Sequence, residues 1–277
     1  MKKKVKKNHQ YLHGFSEAEQ ERLKKQADFV EPQVYKNIDL TEVKNLLEVG
    51  CGVGAQSHIL LRRFPKINLT GIDFSEKQLG AAEQLLSNVP YAKGRYKLHQ
   101  MNAQEMTFKN KSFDGAFLCW VLEHVPDPLK VMQEVRRVLK PGGIVYITEV
   151  TNSSFFLNPY SPNLWKYWMA FNDYQYEHAG DPFVGAKLGN FLSAAGFQNI
   201  QTKVVTFHWD NRHPEKRRQM MEYWIDLLMS GADQLIKAKY TTPEIAKAGM
   251  LEMRAAAQDP DAVFLYSFMQ ARATAPK

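Results

Sequence analysis

The apolar and polar positions between residues 45 and 150 follow two alternating periods. Short apolar runs that end in glycine or acidic residues are typical of buried strands, and the stretches between them carry apolar residues at helical spacing. The pattern predicts strands near 45–50, 68–73, 95–100, 113–119 and 144–150, and helices near 54–64, 75–87 and 128–139. Strands that alternate with helices predict an α/β fold, with a parallel sheet, right-handed crossovers and helices on both faces.

Residues that begin and end helices support this division. Residues 15–29 predict a further helix, because Ser16 stands three positions before Glu19, as in a capping box. Ser75 is a similar N-cap for the helix that follows the second strand. The turn Lys-Pro-Gly-Gly at 140–143 ends a helix and leads into the fifth strand.

A glycine-rich turn follows the first predicted strand. The run Leu-Leu-Glu-Val-Gly-Cys-Gly-Val-Gly at 46–54 ends in three glycines, whose missing side chains allow the main chain to approach a ligand closely. Asp73 ends the next strand, about 20 residues on, at the place where a ribose would present its hydroxyl groups. These features together predict that a small molecule containing a nucleoside binds across the ends of two adjacent strands.

An NAD-dependent enzyme is the first alternative, because Gly50-x-Gly52-x-x-Ala55 also satisfies the dinucleotide fingerprint. Two features weigh against it. Glu48 lies within the end of the strand, where dinucleotide folds usually carry an apolar residue, and Gly54 extends the pattern to Glu-x-Gly-x-Gly-x-Gly. Two more motifs follow at suitable spacing: Phe-Asp-Gly-Ala-Phe-Leu-Cys at 113–119 and Leu-Lys-Pro-Gly-Gly-Ile-Val-Tyr-Ile at 139–147.

With these motifs, residues 40–150 resemble the class I S-adenosylmethionine (SAM)-dependent methyltransferases, specifically the Methyltransf_11/25-type domain. The resemblance implies methyl transfer from SAM, with S-adenosylhomocysteine (SAH) as the product. It also implies a Rossmann-like seven-stranded sheet, mostly parallel with the last strand antiparallel, and helical lid insertions. On that plan a helix near 185–196, a sixth strand near 198–207 and an antiparallel seventh strand near 262–271 complete the core.

The same plan divides the chain into four segments. Residues 1–40 are a tail and a lid helix, 41–150 the SAM-binding core, 151–184 an insertion, and 185–277 the rest of the sheet. Residues 208–258 are expected to form two inserted helices. The 151–184 insertion is rich in aromatic residues. We expect it to be partly core and partly a lid over the acceptor pocket.

The resemblance assigns roles around the glycine turn. Gly50, Cys51, Gly52 and Gly54 form the loop along the ribose and methionine portions. Glu48 is expected to organise this loop by accepting backbone N–H groups, or to contact the ammonium group of SAM.

Further roles fall at the ends of the next three strands. Asp73 is expected to accept both ribose hydroxyls, and Phe74 to cover one face of the adenine. In the Asn102-Ala103 pair, Asn102 replaces the family's usual Asp, so its contact with the adenine amino group loses charge assistance. Cys119 and Trp120 are expected beside the methionine portion and the methyl group, although Trp120 also fits a plain core position.

Methyl transfer needs alignment and exclusion of water, and it needs a general base only if the acceptor is protonated. His124, which follows the fourth strand, is the candidate catalytic residue, and a positional role fits it equally. Tyr11, Tyr174, Tyr176 and His178 are candidates for the acceptor pocket if their segments fold over it.

Composition narrows the range of partners. The net charge is +7, but five lysines among residues 2–7 supply most of it and leave +2 for the remaining chain, which does not favour nucleic acid. Two cysteines indicate neither a disulfide framework nor a metal site. The absence of a long apolar run predicts a cytoplasmic protein without a membrane partner. The sequence leaves a homodimer open.

We therefore expect a SAM-dependent methyltransferase with a small-molecule acceptor. An RNA or protein methyltransferase is the alternative within the enzymes. A non-catalytic SAM-binding regulatory protein is the alternative outside them.

Overall fold

Eight strands form one sheet in the computed structural model, which describes residues 13–14 and 16–277. The strands are β1 (Asn45–Val49), β2 (Asn68–Asp73), β3 (Tyr96–Gln100), β4 (Phe113–Cys119), β5 (Leu139–Val150), β6 (Phe156–Asn158), β7 (Gln198–Trp209) and β8 (Val263–Thr274). The helices are α1 (Glu17–Val34), α2 (Ala55–Arg63), α3 (Glu76–Ser87), α4 (Pro128–Val138), α5 (Pro162–Glu177), α6 (Leu188–Ala194), α7 (Pro214–Met229), α8 (Ala232–Lys237) and α9 (Pro243–Gln258). None of these helices is long and apolar enough to cross a membrane.

The strand order is β3-β2-β1-β4-β5-β8, with parallel pairing from β3 to β5 and antiparallel pairing between β5 and β8. In the register of β8, Phe268 pairs with Val150 of β5 on one edge and with Val205 of β7 on the other. The predicted α/β class, with a mostly parallel sheet and an antiparallel last strand, is confirmed.

The sheet has one strand more than the predicted seven. Residues 156–158, inside the aromatic-rich insertion, form β6 and pair with β8 on the edge that β5 leaves. A three-residue strand has too little periodicity to be read from the sequence, so only its pairing with β8 defines it.

Apolar side chains cover both faces of the sheet. One hydrophobic cluster packs the sheet against α1, α2, α5, α7 and α9. The other packs it against α4 and α6. Neighbouring residues of β1 divide between them: Leu46 belongs to the first cluster and Leu47 to the second. This alternation follows from the strand period of two.

Residues 208–258 contain three helices, where the sequence predicted two. α7 ends at Met229, the six-residue α8 follows, and α9 begins at Pro243 behind the N-cap Thr242, whose hydroxyl accepts the backbone N–H of Ile245 at 3.3 Å. A proline at the first helical position favours a helix start because its missing N–H is not needed there.

Arg217 fastens this insertion to the sheet. Its side chain is buried in α7, and its guanidinium donates to the carbonyls of Asp259 (2.6 Å), Pro260 (2.8 Å) and Ala262 (2.9 Å), in the turn that leads into β8. These charge-assisted bonds satisfy carbonyls that no helix or strand pairs. Arg217 therefore fixes where α7 sits on the sheet.

We predict that Arg217→Met lowers the free energy of unfolding by about 3 kcal/mol, because three carbonyls lose a charged donor. The neighbouring Arg218 is the matched control, since it is half-buried and, among the described residues, its ion pairs are with Glu215 and Glu222 on its own helix. Arg218→Met is expected to change stability by less than about 1 kcal/mol. Urea unfolding measures both variants, and equal losses would contradict the anchoring role.

Candidate cofactor and acceptor site

The turn between β1 and α2 contains three glycines with positive φ: Gly50 (+69°), Gly52 (+51°) and Gly54 (+77°). A Cβ on Gly50 would lie 2.6 Å from Val121 Cγ2, and one on Gly54 would lie 3.1 Å from Ala82 Cβ. A Cβ on Gly52 would meet nothing within 4 Å. Packing therefore requires Gly50 and Gly54, whereas Gly52 borders open space from which a ligand can approach its main chain.

Asp73, at the end of β2, holds this turn in place. Its Oδ2 accepts the backbone N–H of Gly52 at 2.8 Å, and its Oδ1 accepts that of Ser75 at 2.9 Å. Burial raises the pKa of Asp73, and these hydrogen bonds oppose that rise. A carboxylate oxygen can accept a second hydrogen bond. Asp73 can therefore hold the turn and still accept two hydroxyl groups from a ligand.

Cys51 contributes only main chain to the open side. Its side chain is buried, and its Sγ lies 3.0 Å from where a Cβ of Gly71 would be, so it packs against β2. Its backbone N–H donates to Ile72 at 2.9 Å.

Glu48, the acidic residue inside β1, is buried and accepts a hydrogen bond from the Ser57 hydroxyl of α2 at 2.5 Å. This hydroxyl stands in place of the expected backbone N–H partners. Burial is the main cause that raises the pKa of Glu48 to about 8, and the nearby Asp73 charge adds to it. The predicted contact with an ammonium group remains a prediction.

Phe74, Asn102 and Ala103, the predicted adenine contacts, lie around the end of β2. The ring of Phe74 is 77% exposed. The backbone N–H of Met101 donates to the Asp73 carbonyl at 2.9 Å, which brings the 101–103 turn beside β2. Asn102 is exposed, and its Oδ1 accepts the backbone N–H two residues on at 3.0 Å. The amide oxygen is thus occupied partly by its own turn.

Cys119 and Trp120 end β4 at the same edge of the sheet. Trp120 has a φ of +56°, its backbone N–H donates to the Thr148 carbonyl at 2.9 Å, and its ring meets Phe268 edge-on at 6.1 Å. Burial raises the pKa of the Cys119 thiol well above its usual value, and the charge of Glu149 raises it further. A left-handed tryptophan is strained and persists only where its surroundings fix it.

Glu149 helps to hold the backbone that follows Trp120. It is fully buried in β5, and its Oε1 accepts the backbone N–H groups of Val121 (2.8 Å) and Leu122 (2.7 Å). Burial and the charge of Glu123 raise the pKa of Glu149 to about 8. The carboxyl group of β5 thus positions the turn that follows β4.

His124, the candidate catalytic residue, ends this turn. Its Nε2 lies 3.6 Å from Glu123 Oε1, and its ring lies 6.5 Å from that of His13. His13 contacts the Ser230 hydroxyl at 2.5 Å. Burial and the charge of Arg22 lower the pKa of His13 well below its usual value. The chain before α1 therefore meets the turn after β4 at His124.

The acceptor-pocket candidates on α5 make their ring contacts elsewhere. Tyr174 and His178 stack at 4.0 Å, and Tyr174 meets Tyr240 edge-on at 5.1 Å. Tyr176 is 45% exposed. Tyr11 lies outside the described residues. The described ring contacts of Tyr174 and His178 are with each other and with Tyr240, not with residues at the strand ends. The pocket role of these residues therefore remains a prediction.

Sequence reasoning missed a set of buried polar residues near His124. Glu123 and Gln175 are hydrogen-bonded to each other, and Glu149 lies behind them. In α1, Arg22 and Glu19 form a buried ion pair. A single acidic residue inside an apolar strand, as at Glu149, was the available signal. The spacing of Glu19 and Arg22 on one helix face was another.

The comparisons with known proteins agree with this geometry. A family model described as a methyltransferase domain matches residues 47–147. The demethylmenaquinone methyltransferase of Desulfitobacterium hafniense is 36% identical over 127 residues, which cover 46% of this chain and 44% of the relative. That of Geobacillus stearothermophilus is 29% identical over 189 residues, covering 63% of this chain and 79% of the relative. The matched part of this chain thus spans less than half the length of the first relative.

The fold also matches solved structures. The Haemonchus contortus phosphoethanolamine N-methyltransferase 2 in complex with SAH superposes with a TM-score of 0.56 at 18% identity, over 91% of this chain and 53% of that one. At this identity the likeness concerns the fold alone. The family match identifies residues 47–147 as a methyltransferase domain.

Proposed function

We propose that this protein transfers the methyl group of SAM to a small-molecule acceptor held beneath α1, α5 and α7. The observation that carries the proposal is the open space at Gly52 beside the Asp73 carboxylate. It lies at the carboxyl ends of parallel strands, where open α/β sheets bind their ligands.

The residues around this space fit SAM. Asp73 would accept the ribose hydroxyls through its remaining lone pairs, and the exposed ring of Phe74 would cover the adenine. Asn102 and Ala103 would meet the adenine edge, and the main chain at Gly52 would pass along the methionine portion. Once bound, SAM supplies an electrophilic methyl group, so the chain has to bind, orient and exclude water.

The added helices favour a small, enclosed acceptor. Trp168 and Phe171 of α5 are buried and stack at 5.7 Å. Phe171 lies 5.8 Å from His13, in front of α1. An apolar cover of this kind keeps water from the reacting atoms. The relatives named demethylmenaquinone methyltransferases also support a small-molecule acceptor. His124 is the proposed proton acceptor, if the acceptor atom carries a proton.

The direct test is incubation with methyl-labelled SAM and a cell extract separated into small molecules, RNA and protein. We expect the label in the small-molecule fraction. Label in RNA or protein would contradict the acceptor class. Binding of SAH without label in any fraction would favour a regulatory protein.

We predict that Asp73→Ala weakens SAH binding by about 100-fold or more, because two charge-assisted hydrogen bonds to the ribose are lost. Isothermal titration calorimetry measures the affinity, and a melting curve checks that the variant is folded. Glu76→Ala, an exposed acidic position three residues on, is the control and should bind SAH normally. Retained affinity in Asp73→Ala would show that the ribose lies elsewhere.

Two glycine variants distinguish the effect of filling the ligand space from the effect of backbone strain. Gly52 and Gly94 both have positive φ, and a Cβ on either would meet nothing within 4 Å. Each Gly→Ala change should lower stability by about 1–2 kcal/mol through its left-handed backbone. Only Gly52→Ala should also weaken SAH binding, by about tenfold or more, since its methyl group enters the ligand space. Equal SAH affinity in the two variants would contradict the placement of the ligand at Gly52.

A further inference from the structure

Glu123 lies in the turn after β4 and is hydrogen-bonded to the end of α5. Its side chain is buried, and Gln175 Nε2 donates to its Oε2 at 2.8 Å and to its carbonyl at 3.3 Å. The backbone N–H of Asp181 donates to the same carbonyl at 2.8 Å. A Cβ on Gly180 would lie 2.7 Å from that carbonyl, so the chain closes tightly here. The carboxyl group of Glu123 therefore has a fixed position.

Two buried oxygens beside this carboxyl have no hydrogen-bond partner in the part of the chain that the structure describes. They are Oε1 of Gln175, which is 5% exposed, and Oε2 of Glu149, which is 0% exposed. A buried polar atom without a partner costs about 1–3 kcal/mol. The Gln175 oxygen can only accept a hydrogen bond, and so can Glu149 Oε2 once this carboxyl is ionised. A cationic donor, which favours the ionised form of Glu149, would therefore partner both oxygens.

The charges at this place also lack a counterpart. Arg22 is held by Glu19 through two bonds of 2.6 and 2.7 Å, and Lys187 pairs with Asp181. Both cations of the adjoining elements are thus already matched. Among the described residues neither Glu123 nor Glu149 forms an ion pair with a Lys or Arg, and the nitrogen near Glu123 Oε1 is His124 Nε2 at 3.6 Å. Burial and the charge of Glu123 raise the pKa of Glu149.

Aromatic rings stand around the two carboxyl groups. Burial raises the pKa of both Tyr223 of α7 and Tyr266 of β8, and the charge of Glu123 raises each further. The Tyr266 hydroxyl donates to Asn152 Oδ1 at 2.9 Å, which leaves its ring as an apolar wall. Carboxylates and aromatic rings together attract organic cations.

We propose that Glu123, Gln175 and Glu149 form a subsite for a protonated amine of the methyl acceptor. An ammonium group supplies both the missing N–H donors and the missing positive charge. The subsite lies where the turn after β4 meets α5, through the hydrogen bond between Gln175 and Glu123. The inference rests on the proposed function, since it names the class of its acceptor.

A bound cation would also change the ionisation of Glu149. Burial and the charge of Glu123 raise the pKa of Glu149 and so disfavour its ionised form. A cation placed between the two carboxyl groups favours the ionised form of both. Both Glu149 oxygens then accept hydrogen bonds, one from the turn after β4 and one from the ligand.

Three probes of equal size and different charge test the subsite: benzylamine, benzyl alcohol and benzoate. Each is titrated by ligand-observed NMR into the protein saturated with SAH. We expect benzylamine to bind about tenfold more tightly than benzyl alcohol, a difference of about 1.4 kcal/mol, and benzoate to bind least. Tighter binding of benzyl alcohol or benzoate would overturn the proposal.

Three variants test which side chains cause the preference for benzylamine. Glu123→Gln should weaken benzylamine binding by about tenfold and leave benzyl alcohol and SAH within about twofold. Gln175→Met, which removes the unpartnered oxygen and the clamp on Glu123, should lower the preference for benzylamine over benzyl alcohol. Glu222→Gln, the same charge change on the exposed side of α7, is the control and should alter nothing. Melting curves confirm that each variant is folded.

The outcomes separate the two proposals. If Glu123→Gln leaves benzylamine binding intact, the subsite is wrong. If it instead weakens SAM relative to SAH, the carboxyl serves the cofactor's own charge, which also overturns the acceptor assignment. If the wild-type protein does not bind SAH at all, the proposed function fails, and titration of the ligand-free protein with benzylamine still tests the subsite.

Discussion

The carboxylate of Asp73 is the constraint on which the site depends. It joins the end of β2 to the turn after β1 through Gly52, and to the start of α3 through Ser75. Its own carbonyl accepts the N–H of Met101, so the turn after β3 is drawn in as well. Three strand ends and two helix starts thereby take fixed positions around one acidic group. The open space at Gly52 is a consequence of that arrangement.

Buried acidic groups are a second common feature of the carboxyl edge of this sheet. Glu48 and Glu149 each lie one residue before the end of their strands, β1 and β5, and burial is the main cause that raises their pKa values to about 8. Such groups are costly in a core unless a partner meets them. Ser57 meets one, and two backbone N–H groups meet the other.

The helices α5, α7 and α9 pack with α1 against one face of the sheet, and Arg217 fixes α7 to the turn before β8. Their inner surfaces are not purely apolar, because Gln175 faces Glu123, and Asn172 accepts a hydrogen bond from Asn152 at 2.7 Å. A methyltransferase domain alone does not name an acceptor.

Local signals in the sequence determined the scaffold. The two periods of apolar residues predicted the alternating strands and helices, and Ser16 and Ser75 cap α1 and α3 as predicted. The glycine turn with Asp73 was readable for the same reason, since the conformation at each glycine is a property of one or two residues. Only tertiary structure decided β6, the separation of α8 from α7, and the partner of Glu48. It also decided the meeting of Glu123 with Gln175, which lie 52 positions apart in the chain. Contacts of this kind depend on how separate elements pack, and no short-range period in the sequence records that packing.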